Sequence, residues 1–430
     1  MTSQSDTKPR FPQELFDITI DYLHDDKESL AHCSLVCRDW VSTSSLHLFE
    51  RVRWPPCPKI WRRTAGARCS MPTCESNDTA TNSFSDLVTL ISSTQRLRRG
   101  VEKLSLSSRR CPSSTVQPPE FLSAEVLHAL VDLLPRLRSV TLRDCVWQSS
   151  RGVDLDRCMI SRAISLKIES FLLEHAGVLD PLQCFQHITS LVVSGQQNGL
   201  SLQFPPAPTF VPRIDALVAD NCSQDFTRTF LDHTLLSMVD TQTLRGITLS
   251  KPPGYYIEMS LCKLTELEEL DFVVFYVPRK SLNVFPNLRN LTVRLNLCAS
   301  SSHPWSHTWP ALIGTLVQCA TPTVTTLGVG LQLYGSCPYG CSPELEVEEL
   351  CSFLESLDWA SLRSVVPRYE HLHTLRVSMV TERALEGTRW IDKVREVVIK
   401  QLQAPEQYTL DVVEGHDIGY NRYAGGSFGV

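Results

Sequence analysis

A chain of 430 residues, 42% hydrophobic and 20% charged, is folded and too long for one ordinary core, so it forms two domains or one extended repeat array. Its formal net charge of -6 argues against nucleic acid or an anionic membrane as partner, and no apolar run approaches a membrane span. The start, MTSQSDTKPR, lacks the apolar stretch of a secretory signal, so the sixteen scattered cysteines read as reduced thiols of a cytoplasmic or nuclear protein and the sequons at Asn77, Asn221 and Asn290 as chance matches.

After a polar stretch over residues 1–8 that is expected to be disordered, the segment FPQELFDITIDYLHDDKESLAHCSLVCRDW runs from Phe11 to Trp40. Pro12 suits the first helical position and Glu14 a first turn that favours negative charge. Leu15, Phe16, Ile18, Tyr22 and Leu23 recur at helical spacing until His24-Asp25-Asp26 breaks the pattern. A second helical stretch carries Leu30, Cys33, Ser34, Leu35, Cys37 and Trp40. So much apolar surface on short helices needs a partner.

These residues resemble the F-box motif. Phe11-Pro12-x-Glu14-Leu15, Ile18 and Leu23 are similar to its opening, Cys33 to Trp40 to its second half, and Leu46-x-Leu48-Phe49 to its close; Phe11 departs from the commoner leucine but stays bulky and apolar. The resemblance implies a three-helix F-box over residues 9–53 that docks on the Skp-family adaptor of a cullin ubiquitin ligase, while the rest of the chain captures a protein target. Phe11, Pro12, Leu15, Ile18, Leu23, Leu35, Val36 and Trp40 are the expected docking residues, some of them shared with the module's own core. A helical cap packed on its own chain is the alternative.

Residues 54–83, rich in Pro, Ser, Thr and Asn, read as a linker. Arg51, Arg53, Lys59, Arg62, Arg63 and Arg68 form a basic run that reads first as a solvated linker, with a nuclear signal or a patch for an acidic partner as the alternatives.

From residue 84 to 414 a pattern of apolar-x-x-apolar-x-apolar keeps returning, often closed three positions later by Cys or Asn. Leu137-x-x-Val140-x-Leu142-x-x-Cys145 and Leu288-x-x-Leu291-x-Val293-x-x-Asn296 are its best copies. Others centre on Leu104/Leu106, Phe171/Leu173, Leu191/Val193, Leu217/Ala219, Ile247/Leu249, Leu270/Phe272, Leu327/Val329, Leu375/Val377 and Val397/Ile399, each alternation predicting a short strand. Chance alone yields about seven such matches. The added weight comes from helix-like windows between them, at Phe84–Leu97, Phe121–Leu134, Phe226–Val239, Pro310–Cys319 and Pro343–Leu357, the last opening on Ser342-Pro343. Half of the spacings between copies fall in the range of about 20–29 residues found in leucine-rich repeats. The array resembles an irregular set of such repeats, which stack because no unit buries its apolar face alone. The expected fold is therefore α/β: the three-helix F-box, then an irregular leucine-rich-repeat-like α/β solenoid with a curved parallel sheet, with an ordinary α/β sheet as the alternative. Tyr408–Val413 offers a last strand, and residues 415–430 a Gly-rich tail.

Catalytic patterns are sparse. Walker A, GxGxxG and HExxH motifs do not occur, and the G-x-S-x-G at Gly425–Gly429 lacks a following helix. Cys337 and Cys341 form one thiol pair where zinc wants four ligands, and His303 and His307 flank Trp305 in a loop-like context, so no metal or cofactor is expected. The acidic run Glu344, Glu346, Glu348, Glu349, Glu355 and Asp358 is a solvated face or a contact for a basic target.

Positions beside the apolar strand residues point to the opposite sheet face, which selects Arg143, Glu174, Asp220, Asp271, Arg294, Arg376 and Lys400 as candidate target contacts. Their mixed signs favour a protein target over nucleic acid, with a merely solvated face as the alternative. The function expected is a non-enzymatic substrate receptor of a cullin-type ligase; a protein-binding scaffold outside ubiquitination and an unrecognised enzyme stay open as rivals.

Overall fold

The computed structural model describes residues 13–54, 83–107, 121–148, 158–169, 181–195, 212–220, 222, 242–250, 264–274, 285–298, 308–334, 347–381, 390–403 and 407–414. Phe11, Pro12, most of the linker, Glu174, the window Phe226–Val239, His303, His307, Cys337, Cys341, Ser342, Pro343 and the tail lie outside them. The fold is α/β, with helices at the N-terminal end followed by parallel strands, and it divides into two compact units, Met1–His187 and Ile188–Val430.

The first unit opens on α1 (Gln13–Tyr22), α2 (Lys27–Val36) and α3 (Arg38–Phe49). Asp26 caps α2 by accepting from the Ser29 amide at 3.0 Å, and bonds from Ser29 hold its carboxyl below the ordinary range. Extended backbone at Cys37 separates α2 from α3. Half-buried Lys27 sits where two chains of carbonyls end: its Nζ donates to the His47 carbonyl at 2.5 Å, in the last turn of α3, and to the His24 carbonyl at 3.2 Å just past α1. One cation thereby serves carbonyls that no helical amide reaches.

Next come β1 (Arg51–Trp54), α4 (Phe84–Ser93), α5 (Gln95–Gly100), β2 (Lys103–Ser107), β3 (Phe121–Leu122), α6 (Ala124–Leu133), β4 (Ser139–Arg143), β5 (Val146–Trp147) and β6 (Ile164–Glu169). A reciprocal capping box between Ser83 and Asp86 starts α4. The strands β1-β2-β4-β6 form a parallel sheet in chain order, and β3 pairs with β5 separately. Leu104, Leu106, Val140, Leu142, Leu166 and Ile168 share one side of that sheet and are buried; Phe84, Leu87 and Ile91 of α4 and Leu127, Leu130 and Val131 of α6 are buried as well.

The second unit carries β7 (His187–Ser194), β8 (Arg213–Ile214), β9 (Ala216–Asp220), β10 (Gly246–Leu249), β11 (Glu269–Val274), β12 (Asn290–Cys298), α7 (Thr308–Gln318), β13 (Thr326–Tyr334), α8 (Val347–Ser356), α9 (Trp359–Val365), β14 (Thr374–Thr381), α10 (Trp390–Leu402) and β15 (Thr409–Glu414). Its parallel sheet runs β7-β9-β10-β11-β12-β13-β14-β15, again in chain order, with β8 beside β7. Neither sheet closes on itself, and no topological switch point interrupts either order among the described strands.

The expected copies at Leu104/Leu106, Val140/Leu142, Leu191/Val193, Leu217/Ala219, Ile247/Leu249, Leu270/Phe272, Leu291/Val293, Leu327/Val329 and Leu375/Val377 are all strands, and Tyr408–Val413 overlaps β15. Three expectations are corrected. Val397/Ile399 lies in α10, where Trp390, Val394, Val398 and Leu402 are buried at helical spacing and the local alternation is incidental. The copy at Phe171/Leu173 lies outside the described residues; the strand that precedes it is β6, with Leu166 and Ile168 buried. The single helix expected over Phe84–Leu97 breaks at Thr94, whose extended backbone divides α4 from α5, and Phe121 opens the window Phe121–Leu134 as strand.

The cysteine that closes a copy makes the same bond in both units. The Cys145 thiol donates to the Leu106 carbonyl at 3.4 Å, and the Cys222 thiol to the Val193 carbonyl at 3.4 Å. In each case the cysteine follows one strand by the same offset and reaches the end of the strand before it, since Leu106 is in register with Leu142 and Val193 with Ala219. A buried thiol here donates to a carbonyl one residue before the end of the neighbouring strand.

Two glycines of β13 admit side chains of β12. A Cβ at Gly330 would lie 2.4 Å from Arg294 Cγ, and one at Gly328 2.5 Å from Thr292 Oγ1. Arg294 in turn donates to Asp271 at 2.6 Å. Gly330→Ala is expected to push the Arg294 stem aside, loosen that ion pair and lower stability by about 1–3 kcal/mol, read as a lower urea midpoint.

Candidate protein-docking surface

The three N-terminal helices sort their side chains into two sets. On α1, Phe16, Asp17, Ile20 and Asp21 share the side toward α3: Phe16 and Trp40 rings lie 5.2 Å apart, Thr43 donates to Asp17 at 2.6 Å, His47 Nε2 meets Asp21 at 2.7 Å, and Ile20 is fully buried. These positions step along α1 as Trp40, Thr43 and His47 step along α3, one turn at a time. Bonds from Thr43 and Gln13 lower the Asp17 carboxyl pKa.

The opposite side of α1 is apolar and open to solvent. Leu15, Ile18 and Tyr22, at i, i+3 and i+7, are 45%, 52% and 81% exposed. At the end of α2, Leu35 and Val36 are 82% and 63% exposed, followed by exposed Cys37. Single exposed apolar residues are ordinary, whereas a row of them on one short module makes this face a candidate for contact.

Of the expected docking residues, Leu15, Ile18, Leu35 and Val36 are therefore available, while Leu23 and Trp40 are half-buried, Trp40 within the aromatic pair. Tyr22 belongs with the exposed set although motif comparison did not select it; its spacing from Leu15 and Ile18 was the signal.

The candidate target residues fare unevenly. In the first unit Arg143 pairs with Glu169, which also takes Lys167 at 2.5 Å. Burial pulls the Glu169 carboxyl upward, but bonds from Lys167 and Arg143 outweigh it and hold the group below its ordinary 4.5. A carboxyl lowered by folding stabilises the folded state above the unfolded pKa, and that contribution fades as pH falls through the lowered value. The stability gap between the native chain and Glu169→Gln should thus narrow between about pH 6 and about pH 3, measured by urea unfolding across that range.

In the second unit Asp271 and Arg294 are brought together as an ion pair and Arg376 meets Asp411 at 3.0 Å. Burial raises the Asp271 carboxyl against the pull of Arg294. Arg294 and Asp220 are buried, 5% and 4% exposed, and so do not present themselves to a target. Lys400, expected beside a strand, stands exposed on α10 and belongs to no sheet face.

Among the described residues no group of three His, Cys, Asp or Glu side chains is placed to hold a metal ion, and no helix is long and apolar enough to cross a membrane. No protein-family model matches the chain, and no curated protein is significantly similar to it.

Proposed function

We propose that the chain is a non-enzymatic substrate receptor of a cullin-type ubiquitin ligase, acting in the cytoplasm or nucleus. In this reading α1 to α3 are an F-box that docks the Skp-family adaptor, and the strand arrays are irregular leucine-rich repeats that hold a protein target. The receptor acts as a tether: holding the target near a charged conjugating enzyme raises its effective concentration, with no chemistry by this chain.

The observation that carries the reading is the apolar face of α1 and the end of α2, left open while the other side of α1 is packed by hydrogen bonds and an aromatic pair against α3. The module has its own core and still exposes Leu15, Ile18, Tyr22, Leu35 and Val36. The repeat reading is supported by strand order following chain order and by the cysteine bond recurring at one offset in two places. The test is co-elution of the purified chain with a purified Skp-family adaptor: a stable complex that the exposed apolar residues control supports the proposal, and absence of a complex at micromolar concentration removes it.

A further inference from the structure

We propose that the open face of the first unit's sheet, opposite its buried leucines, docks an acidic polypeptide segment. This names the class of target for the receptor described above and rests on that reading.

Strand register fixes which side chains share the face. Paired residues of parallel strands point the same way, so three rows cross it: Arg51, Lys103, Ser139 and Ser165; Arg53, Ser105, Thr141 and Lys167; and Ser107, Arg143 and Glu169. The side chains of Arg51, Lys103, Lys167 and Arg143 are 62%, 49%, 39% and 37% exposed, and Arg53 is exposed as well. Among the described residues two carboxylates answer these five cations. Glu50 accepts from Lys103 at 3.2 Å and Arg51 at 3.4 Å, and Glu169 is taken by Arg143 and Lys167. An excess of three positive charges remains on a chain whose net charge is -6, and Arg53 has no ion pair among the described residues.

The rest of the face is Ser and Thr, whose hydroxyls donate to carboxylate or backbone oxygens. Four strands spaced about 4.8 Å apart give rows about 14 Å long, the reach of four or so residues of extended chain. A single-stranded nucleic acid would need aromatic platforms for its bases. None stands in these rows; the strand aromatic of β1, Trp54, is in register with buried Leu106 on the other side. Charge with hydroxyls and without aromatics fits Asp/Glu-rich peptide.

The test uses the full chain and a short fluorescein-labelled Asp/Glu peptide, followed by fluorescence anisotropy at low and high salt, against the same peptide with Asn/Gln. The acidic peptide is expected to bind saturably and to weaken with salt, as screened exposed charges must. Arg53→Glu with Lys167→Glu should lower its affinity by about tenfold or more, and Arg53→Gln alone, which keeps the test readable where the double variant misfolds, by about threefold. Lys400→Glu, the same charge change on α10, should leave it unaltered. Equal binding of the Asn/Gln peptide, unchanged affinity in both face variants, or tighter binding of oligothymidylate than of the peptide would each overturn the proposal. Adaptor capture measured on the same variants keeps the two readings apart, because the face variants leave Leu15 and Ile18 intact: lost peptide binding with retained capture speaks to this face, and absent capture by the native chain speaks to the docking helices.

Discussion

Replacing Leu15 and Ile18 together by aspartate is expected to lower capture of a Skp-family adaptor by about 100-fold or more while leaving the thermal melt of the chain unchanged. Both side chains are about half exposed on the outer side of α1, away from the Phe16–Trp40 pair and from the bonds that join Asp17 to Thr43 and Asp21 to His47. In the free chain the new carboxylates stay in water and cost little. In the complex each would be carried into an apolar contact without a partner, a penalty of several kcal/mol for an ionised group. Interface energy concentrates in a few such central residues, each worth about 2 kcal/mol or more, so two of them account for the loss. Titration of the labelled adaptor with native and variant chain measures it. Native-like capture by the variant would show that this face is not the docking surface. Trp40→Ala is less informative, because it removes a ring that α1 and α3 share and disturbs the module along with its surface.

The largest loss of stability is expected at Trp359. It is 2% exposed at the start of α9, packed edge-on against Trp309 of α7 with ring centroids 5.2 Å apart, and its Nε1 donates to the Leu354 carbonyl at 2.6 Å at the end of α8. Trp309 Nε1 in turn donates to the Asp358 carbonyl at 2.9 Å. Three helices of the second unit thus meet on two indoles. Trp359→Ala should cost about 3–5 kcal/mol, the range for removing a large aromatic from a packed core. Trp359→Phe keeps a ring and removes one donor from a carbonyl that the Leu357 amide still reaches at 3.2 Å, at about 0.5–1.5 kcal/mol. Urea unfolding followed by far-ultraviolet circular dichroism gives both values, and a change below about 1 kcal/mol for the alanine variant would mean that the helices hold without this pair.

Much of this architecture is legible in local sequence. A strand shows itself by alternation, and nine copies of the apolar pattern became strands because their leucines and valines all had one buried side to occupy. The same short signal misleads where a helix offers an equally good stripe. At Val397 and Ile399 the longer period through Trp390, Val394, Val398 and Leu402 prevails, since it spans thirteen residues of α10 where the alternation spans three. At the other extreme Arg51–Trp54 is too short to announce itself, and it is a strand because β2 lies beside it.

The candidate surfaces divide in the same way. The apolar face of α1 can be read from spacing alone, because i, i+3 and i+7 share a helix side wherever the helix sits. Which side faces outward cannot, and it follows from Thr43, His47 and Trp40 arriving from α3. The target face is the reverse case. Sequence selects Arg143 as one cation beside a strand, but Arg51, Arg53, Lys103 and Lys167 become its neighbours only through the register of β1, β2, β4 and β6.

By itself the sequence determines the kinds of element, the side of each that must be covered, and an N-terminal segment with more apolar surface than three short helices can hide. Those properties depend on residue type and period, which are local. Tertiary structure alone decides which charges share a face and which are shut away, so that Arg294 and Asp220 are buried while Arg53 and Lys167 meet solvent. The reason is physical: pairing between strands joins residues that are distant along the chain, and no local pattern records the partner.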